Sequence, residues 1–196
     1  EAHGQGTRVP FRYDPTIFED VAFKFETLAQ RMRELAFVAG GVAIQIVDER
    51  EEPFPSEMTF YFEGGIQSFV RYLNRNRKVL HDEVVYANQW DKGIGIEVAI
   101  QYTDSYARSM YAFANTIHTV DGGTHLTGLR SGLTRIINDY ARKEGVLREK
   151  DPNFTGEDIR EGLTAIVSVK HPDPQFESQT KVKLMNAEVR GLVESV

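Results

Sequence analysis

The element order strand–helix–hairpin–helix–strand makes this chain α+β. Three observations carry that expectation. Apolar residues alternate cleanly over residues 96–102, a helical apolar stripe runs through residues 124–143, and a strand-like run occupies residues 163–170.

Taken in order, residues 7–11 read as a short strand, with Pro10 confining it to an edge or an end. Phe25, Leu28, Met32 and Leu35 share one helical face, and Gly40-Gly41 stops that helix. Residues 42–46 make a strand. Two strands and one helix cannot bury themselves, so this part reads as the tail of a domain whose body lies elsewhere. Residues 48–55, acidic and carrying Pro53 and Pro55, read as a linker and domain boundary, dividing the chain into residues 1–55 and 56–196.

Residues 58–62 form a strand, and Gly64-Gly65 leads into a helix striped by Ile66, Phe69, Val70 and Leu73. Ile96, Val98, Ile100 and Tyr102 alternate with Glu97, Ala99 and Gln101, the period of a half-buried strand. Thr103-Asp104-Ser105-Tyr106 turns that strand into a second one over residues 107–114, a hairpin by pattern. Thr124 can cap a long helix reaching about Lys143, with Leu126, Leu129, Leu133, Ile136, Ile137 and Tyr140 as its core stripe. Thr155-x-x-Asp158 is a capping box for a short helix. A buried strand over residues 163–170 and a helix over 187–196 complete the pattern.

Composition narrows the function. The 196 residues, 41% hydrophobic, suffice for one or two small domains. The absence of cysteine excludes disulfide frameworks, cysteine–zinc sites and thiol catalysis, and fits a reducing cytoplasm. A net charge of −6 argues against a chain coated in nucleic acid, while leaving room for a local basic surface. No apolar run is long enough for a membrane span, and no signal peptide opens the chain. A first residue of Glu1, and a last residue inside a helical pattern, read as a piece of a longer polypeptide.

No complete active site is visible. The five histidines are scattered without metal-ligand spacing. A Walker A loop and a Gly-x-Ser-x-Gly elbow are both absent, and Gly93-x-Gly95 reads as a turn. Three fragments remain. Gln179-Thr180-Lys181 follows a strand and a Pro172/Pro174 corner, where a compact cation and neutral donors can be aimed at a phosphate. Taken alone it is a solvated polar turn. Gly6-Thr7 permits close backbone approach beside a hydroxyl. The long helix carries Arg130, Arg135, Arg142 and Lys143; Arg130, flanking Leu126 and Leu133, is expected to have its guanidinium held in place. Arg71, Arg75, Arg77 and Lys78 form a second basic cluster that reads as a solvated surface or, second, as a phosphate contact.

Larger patterns place these fragments. Ser178-Gln179-Thr180-Lys181-x-Lys183-Leu184 follows Val167-Ser168-Val169-Lys170-x-Pro172-x-Pro174, with Asp121-Gly122-Gly123-Thr124-His125-Leu126 upstream. Gly6-Thr7 precedes Asp14-Pro15-x-Ile17-Phe18 and the helix Leu28-Ala29-x-Arg31-x-Arg33-Glu34-Leu35-Ala36-Phe37. From Gly6 to Val196 the chain resembles the B subunits of type II DNA topoisomerases, gyrase B foremost and the topoisomerase IV counterpart as alternative. A GHKL middle domain from another family, or a nucleic-acid-binding module of the same fold, are further alternatives.

The resemblance implies that residues 1–55 end a GHKL ATPase domain. Residues 56–196 would then form a transducer domain of the ribosomal protein S-five domain-two type, with a left-handed βαβ crossover that sequence alone does not reveal. It implies that Gly6 and Thr7 close the adenine end of an ATP pocket. Gln179, Thr180 and Lys181 would bind the nucleotide, Lys181 and Gln179 serving catalysis at the γ-phosphate, and Arg130 would touch DNA. ATP is the implied cofactor, with magnesium held by residues outside this chain. The implied partners are the gyrase A protein, a second copy of the B protein and double-stranded DNA, in the cytoplasm. The family's catalytic glutamate and magnesium-holding asparagine lie upstream of Glu1, so the chain alone is expected to be inactive.

Overall fold

The structure, a computed structural model, describes residues 5–19, 23–50 and 56–196. Residues 7–11 carry no strand, correcting the sequence expectation: among the described residues no partner strand pairs with them, and they are exposed. Helix α1 (Phe25–Val38) ends before Gly40-Gly41 as its pattern requires. Strand β1 (Ile44–Asp48) pairs antiparallel with β2 (Ser56–Phe60), in register from Ile44 opposite Phe60 to Asp48 opposite Ser56. The break expected over residues 48–55 therefore falls in the connection between two paired strands. Its residues 51–55 lie outside the described residues. Ala29, Ala36 and Phe60, with Met32 and Ile46, form a small core between α1 and this ribbon.

Helix α2 (Gly65–Asn74) buries Ile66, Phe69 and Val70. Phe37 of α1 stacks on Phe69, ring centres 4.7 Å apart, so the two helices share one apolar seam.

A five-stranded sheet follows, in the order β3-β4-β7-β5-β6. Strand β3 (Val85–Asp91) makes a hairpin with β4 (Ile94–Tyr102) through Lys92-Gly93, both at positive φ (48° and 81°), the two-residue turn whose twist suits a hairpin. The expected hairpin of 96–102 with 107–114 does not form. Strand β5 (Ser109–Ala114) instead runs parallel to β7 (Leu163–Lys170), which is inserted between β4 and β5. The most buried strand takes the centre, where both faces are covered. Strand β6 (Ile117–His118) closes one edge.

Nor is β4 half-buried. Ile94, Ile96, Val98 and Ile100 face the core beneath α3 (Thr124–Lys143) and α5 (Ala187–Ser195), while Ala99 faces α2. The unit Ser109–Ala114, α3, the short helix α4 (Gly156–Arg160) and Leu163–Lys170 is a βαβ crossover between adjacent parallel strands. The capping box at α4 forms as read, Thr155 and Asp158 each accepting from the other's backbone N–H.

Two details of α3 differ from expectation. Its N-cap is Gly123 and the Thr124 hydroxyl caps nothing. Its stripe drifts: Ile136 and Tyr140 are exposed, whereas Asn138 and Ala141 are buried. The buried face follows close contacts instead. Gly128 and Gly132 lie against the backbone of α5, and the Asn138 amide bonds the backbone of Phe154.

Candidate functional site

Residues 175–185 fold back on themselves at the exit of β7. The Met185 N–H donates to the Gln175 carbonyl at 2.8 Å and the Glu177 N–H to the Lys183 carbonyl at 3.0 Å, with Phe176 bridged to Leu184 between them. Nearer the tip, the Lys181 N–H donates to the Ser178 carbonyl at 3.0 Å. The result is a short hairpin whose tip is Gln179-Thr180-Lys181, all three exposed.

The return arm is laced to a second loop. The Leu184 N–H donates to the Gly122 carbonyl, the Thr124 N–H to the Leu184 carbonyl and the Asp121 N–H to the Val182 carbonyl, at 2.9–3.1 Å. Only glycine fits there: a Cβ on Gly123, at φ 136°, would lie 2.3 Å from the Leu184 oxygen. Asp-Gly-Gly-Thr and Gln-Thr-Lys, far apart in sequence, thus form one piece of structure. Below it His125 is fully buried with Nε2 3.0 Å from the Thr119 hydroxyl, and burial pushes its pKa down to about 4.

The two lysines of the hairpin differ in kind. Lys183 donates to Glu177 at 2.9 Å and is half-buried. Lys181 makes no ion pair among the described residues; its ammonium sits 5.9 Å over the Phe176 ring. Its backbone adopts φ 56°, a left-handed conformation costing a non-glycine residue about 1–3 kcal/mol. Gln179 makes no side-chain hydrogen bond among the described residues, whereas the Thr180 hydroxyl lies 2.7 Å from that of Ser178. The tip therefore offers one uncommitted cation and one uncommitted amide, a donor pair suited to phosphate oxygens.

The other sequence-derived candidates are placed apart from this hairpin. Gly6 and Thr7 lie on the exposed irregular segment, and among the described residues no hydrogen bond joins either to the tip. Arg130 is exposed and its guanidinium makes no hydrogen bond among the described residues, correcting the expectation that it is held. At its position the helix surface opens into a shallow cleft lined by Thr134, Arg135, Asn138, Asp139 and Arg160. Desolvation, with Arg160 and Arg108 nearby, lowers its pKa. The expected solvated cluster is partly engaged: Arg75 lies 4.0 Å over the Tyr72 ring, Arg77 donates to Ser109, and Lys78 pairs with Asp104. Among the described residues no group of three His, Asp or Glu side chains could hold a metal ion, and no helix is long and apolar enough to cross a membrane.

Sequence reasoning missed Asn186, which is buried at the base of the hairpin. An asparagine just before a helix signals a cap, and nothing in the pattern showed that its amide turns elsewhere.

The fold and the site define an α+β protein that presents a glycine-laced cationic hairpin at the exit of β7. The comparisons make this specific. The family model for DNA gyrase B matches residues 65–196. The DNA gyrase B protein of Clostridium acetobutylicum is 53% identical over 97% of this chain, and that of Bacillus mycoides 51% identical over all of it. The crystal structure of the 43K ATPase domain of Thermus thermophilus gyrase B, in complex with an aminocoumarin, superposes with a TM-score of 0.78 at 36% identity. It covers 93% of this chain and 48% of that one. The chain belongs to the DNA gyrase B family, the first of the readings that its motifs supported. It spans 30% of the length of the Clostridium relative and 48% of the Bacillus one.

Proposed function

We propose that this chain is the part of a gyrase B protein that couples ATP binding and hydrolysis to passage of a DNA duplex, with Lys181 and Gln179 contacting the γ-phosphate. The observation that supports this most is the uncommitted Lys181 ammonium at the tip of a hairpin stiffened by the Asp121–Thr124 loop. A cation about 4 Å from a phosphate charge gains roughly 4 kcal/mol at an intermediate effective dielectric, before desolvation. That contact exists with ATP and not with ADP, so the hairpin distinguishes the two and turns hydrolysis into a movement. Phosphoryl transfer depends mainly on positioning and charge stabilisation, which a cation on a separate lobe can supply.

Within this reading Gly6 and Thr7 approach the adenine end of the nucleotide, and Thr180 supports the tip through Ser178. Magnesium is held by residues outside this chain. Arg130, unpaired and exposed, meets DNA phosphates without reading sequence. The gyrase A protein, a second copy of the B protein and double-stranded DNA are the partners, and the cytoplasm is the compartment. The ATPase-like unit extends through β2, since β1 and β2 are paired, and the coupling unit starts near Gly64-Gly65.

The test is Lys181→Ala in the longer protein carrying this sequence. ATP turnover is expected to fall about 10²- to 10³-fold, the usual cost of removing one transition-state donor, with ADP affinity unchanged. Equal losses for ADP and ATP would overturn the γ-phosphate role, and ATP turnover by the 196-residue chain alone, abolished by Lys181→Ala, would refute its expected inactivity.

A further inference from the structure

We propose that Asn186 is a positioning residue for Lys181, acting by cross-linking both arms of the hairpin at its base. This rests on the γ-phosphate reading above and extends it to a residue that does not itself touch nucleotide.

Asn186 occupies the N-cap position of α5, where an asparagine ordinarily accepts from its own helix's free N–H groups. Here it makes no such cap bond. Its side chain is turned to the loop. Oδ1 accepts from the Gln175 N–H at 2.7 Å, and Nδ2 donates to the Asp173 carbonyl at 3.3 Å and to Glu188 Oε1 at 3.1 Å. One amide thereby joins the outgoing arm to the start of α5, and it is buried.

The surrounding groups are committed to the same task. The Asp173 N–H donates to His171 Nδ1 at 3.0 Å, which puts the ring proton on Nε2, and Nε2 donates to Glu188 Oε1 at 3.0 Å. Asn115 pins the His171 backbone from the other side: its Nδ2 donates to the His171 carbonyl at 2.8 Å and its Oδ1 accepts from the His171 N–H at 2.7 Å. Both ends of the hairpin are therefore tied to one polar cluster at the ends of β5 and β7 and the start of α5, in which His171 and Asn186 are buried. Looseness at that base is carried to the tip, and Lys181 must be placed to within a fraction of an ångström to stabilise a transferring phosphate. The backbone ladder of the hairpin and its lacing to Gly122 and Thr124 do not involve the Asn186 side chain, so the fold survives its loss while the aim of the tip does not.

The experiment uses the longer gyrase B protein with its gyrase A partner and DNA, and compares Asn186→Ala, Lys181→Ala and the double variant. Expected for Asn186→Ala is a drop of about tenfold to a hundredfold in kcat for ATP hydrolysis, with ADP affinity unchanged and the thermal midpoint lowered by only a few degrees in a chain that stays folded. In the Lys181→Ala background the same substitution is expected to cost nothing further, because it acts through the lysine. Should Asn186→Ala fail to fold, Asn186→Asp decides. It keeps the acceptor for Gln175, loses both donated bonds, sets a carboxylate against Glu188, and is expected to lower kcat in the same selective way. Unchanged kcat, an equal further loss in the Lys181→Ala background, or a parallel fall in ADP affinity would each overturn the proposal. If Lys181→Ala itself leaves turnover intact, the γ-phosphate reading fails and the proposal goes with it. If Lys181→Ala abolishes turnover and Asn186→Ala does not, the proposal fails alone.

Discussion

Replacing Gly123 with alanine tests whether the two sequence motifs function as one unit. The new Cβ would lie 2.3 Å from the Leu184 oxygen and 2.6 Å from its nitrogen, both main-chain atoms of a fully buried residue. No side chain can swing aside, so the hairpin's return arm must retreat by about 1 Å to reach an ordinary contact of about 3.5 Å. At φ 136° the alanine also enters a region nearly reserved for glycine, at about 1–3 kcal/mol. The retreat breaks the Thr124–Leu184 and Leu184–Gly122 bonds, each contributing about 1 kcal/mol. The total is about 3–5 kcal/mol, which lowers the melting temperature by roughly 6–20 °C for a domain of this size. Gly145→Ala is the control: it too has positive φ (73°), but nothing lies within 4 Å of the added Cβ, so it carries strain without a clash. Calorimetry or circular dichroism melts of both variants give the comparison. In the longer protein, a 1 Å displacement of the hairpin is expected to reduce ATP turnover about 100-fold. Equal melting temperatures for the two variants, or full turnover by Gly123→Ala, would refute the reasoning.

Two further outcomes are expected. His125 has a folded pKa of about 4 because burial disfavours the imidazolium, below its ordinary value of 6.5. The unfolded chain therefore binds the proton first. This contribution to stability is complete above about pH 6.5 and is lost as pH falls toward 4, the loss amounting to about 2 kcal/mol at pH 5. Urea midpoints at pH 7.5 and 5 for the chain and for His125→Leu measure it, and an identical pH slope in both would sink the assignment. Asn74 is buried between Gln101, to which it donates at 3.0 Å, and the Thr164 hydroxyl, from which it accepts at 2.7 Å. Asn74→Ala orphans both partners and is expected to cost about 2–4 kcal/mol in urea denaturation; a loss below about 1 kcal/mol would show that water replaces the amide.

The elements that were legible in the sequence are those whose own residues fix them. Helices α1, α2 and α3 announce themselves by apolar spacing, and α4 by the reciprocal Thr155–Asp158 box. Strand β3 did not, because an edge strand with most residues exposed carries no alternation to read. The hairpin assigned to residues 96–114 failed for a different reason. Sequential strands usually pair, and nothing local tells β4 and β5 that a strand some fifty residues later will lie between them. Arg130 was misjudged because flanking leucines locate a residue near the core without showing where its guanidinium points. The cluster of Asn115, His171, Asn186 and Glu188 was invisible for the converse reason. Polar residues at element ends read as solvated, and the burial of His171 and Asn186 is decided by tertiary packing.

The lacing at Gly123 also bears on what a released phosphate contact would move. Leu184 is bonded to the first residue of α3, and Arg130 lies six residues further along that helix, roughly 9 Å at 1.5 Å per residue. Helix α3 in turn lies against α5 at Gly128 and Gly132, where the two helix backbones come close. Hairpin, α3 and α5 are therefore joined by main-chain hydrogen bonds at Leu184 and by packing of Leu126 and Leu129 against Val189 and Val193. On the opposite face of the sheet, α1 meets α2 through the Phe37–Phe69 stack and the close approach of Gly40 to Gly65, both at positive φ. That seam also carries the hydrogen bond from Arg33 to the Tyr72 hydroxyl at 2.8 Å. If the tip binds phosphate as proposed, its release would be passed to the Arg130 surface through Leu184 and α3. Under the proposed function, that is the step converting hydrolysis at one end into a changed DNA contact at the other.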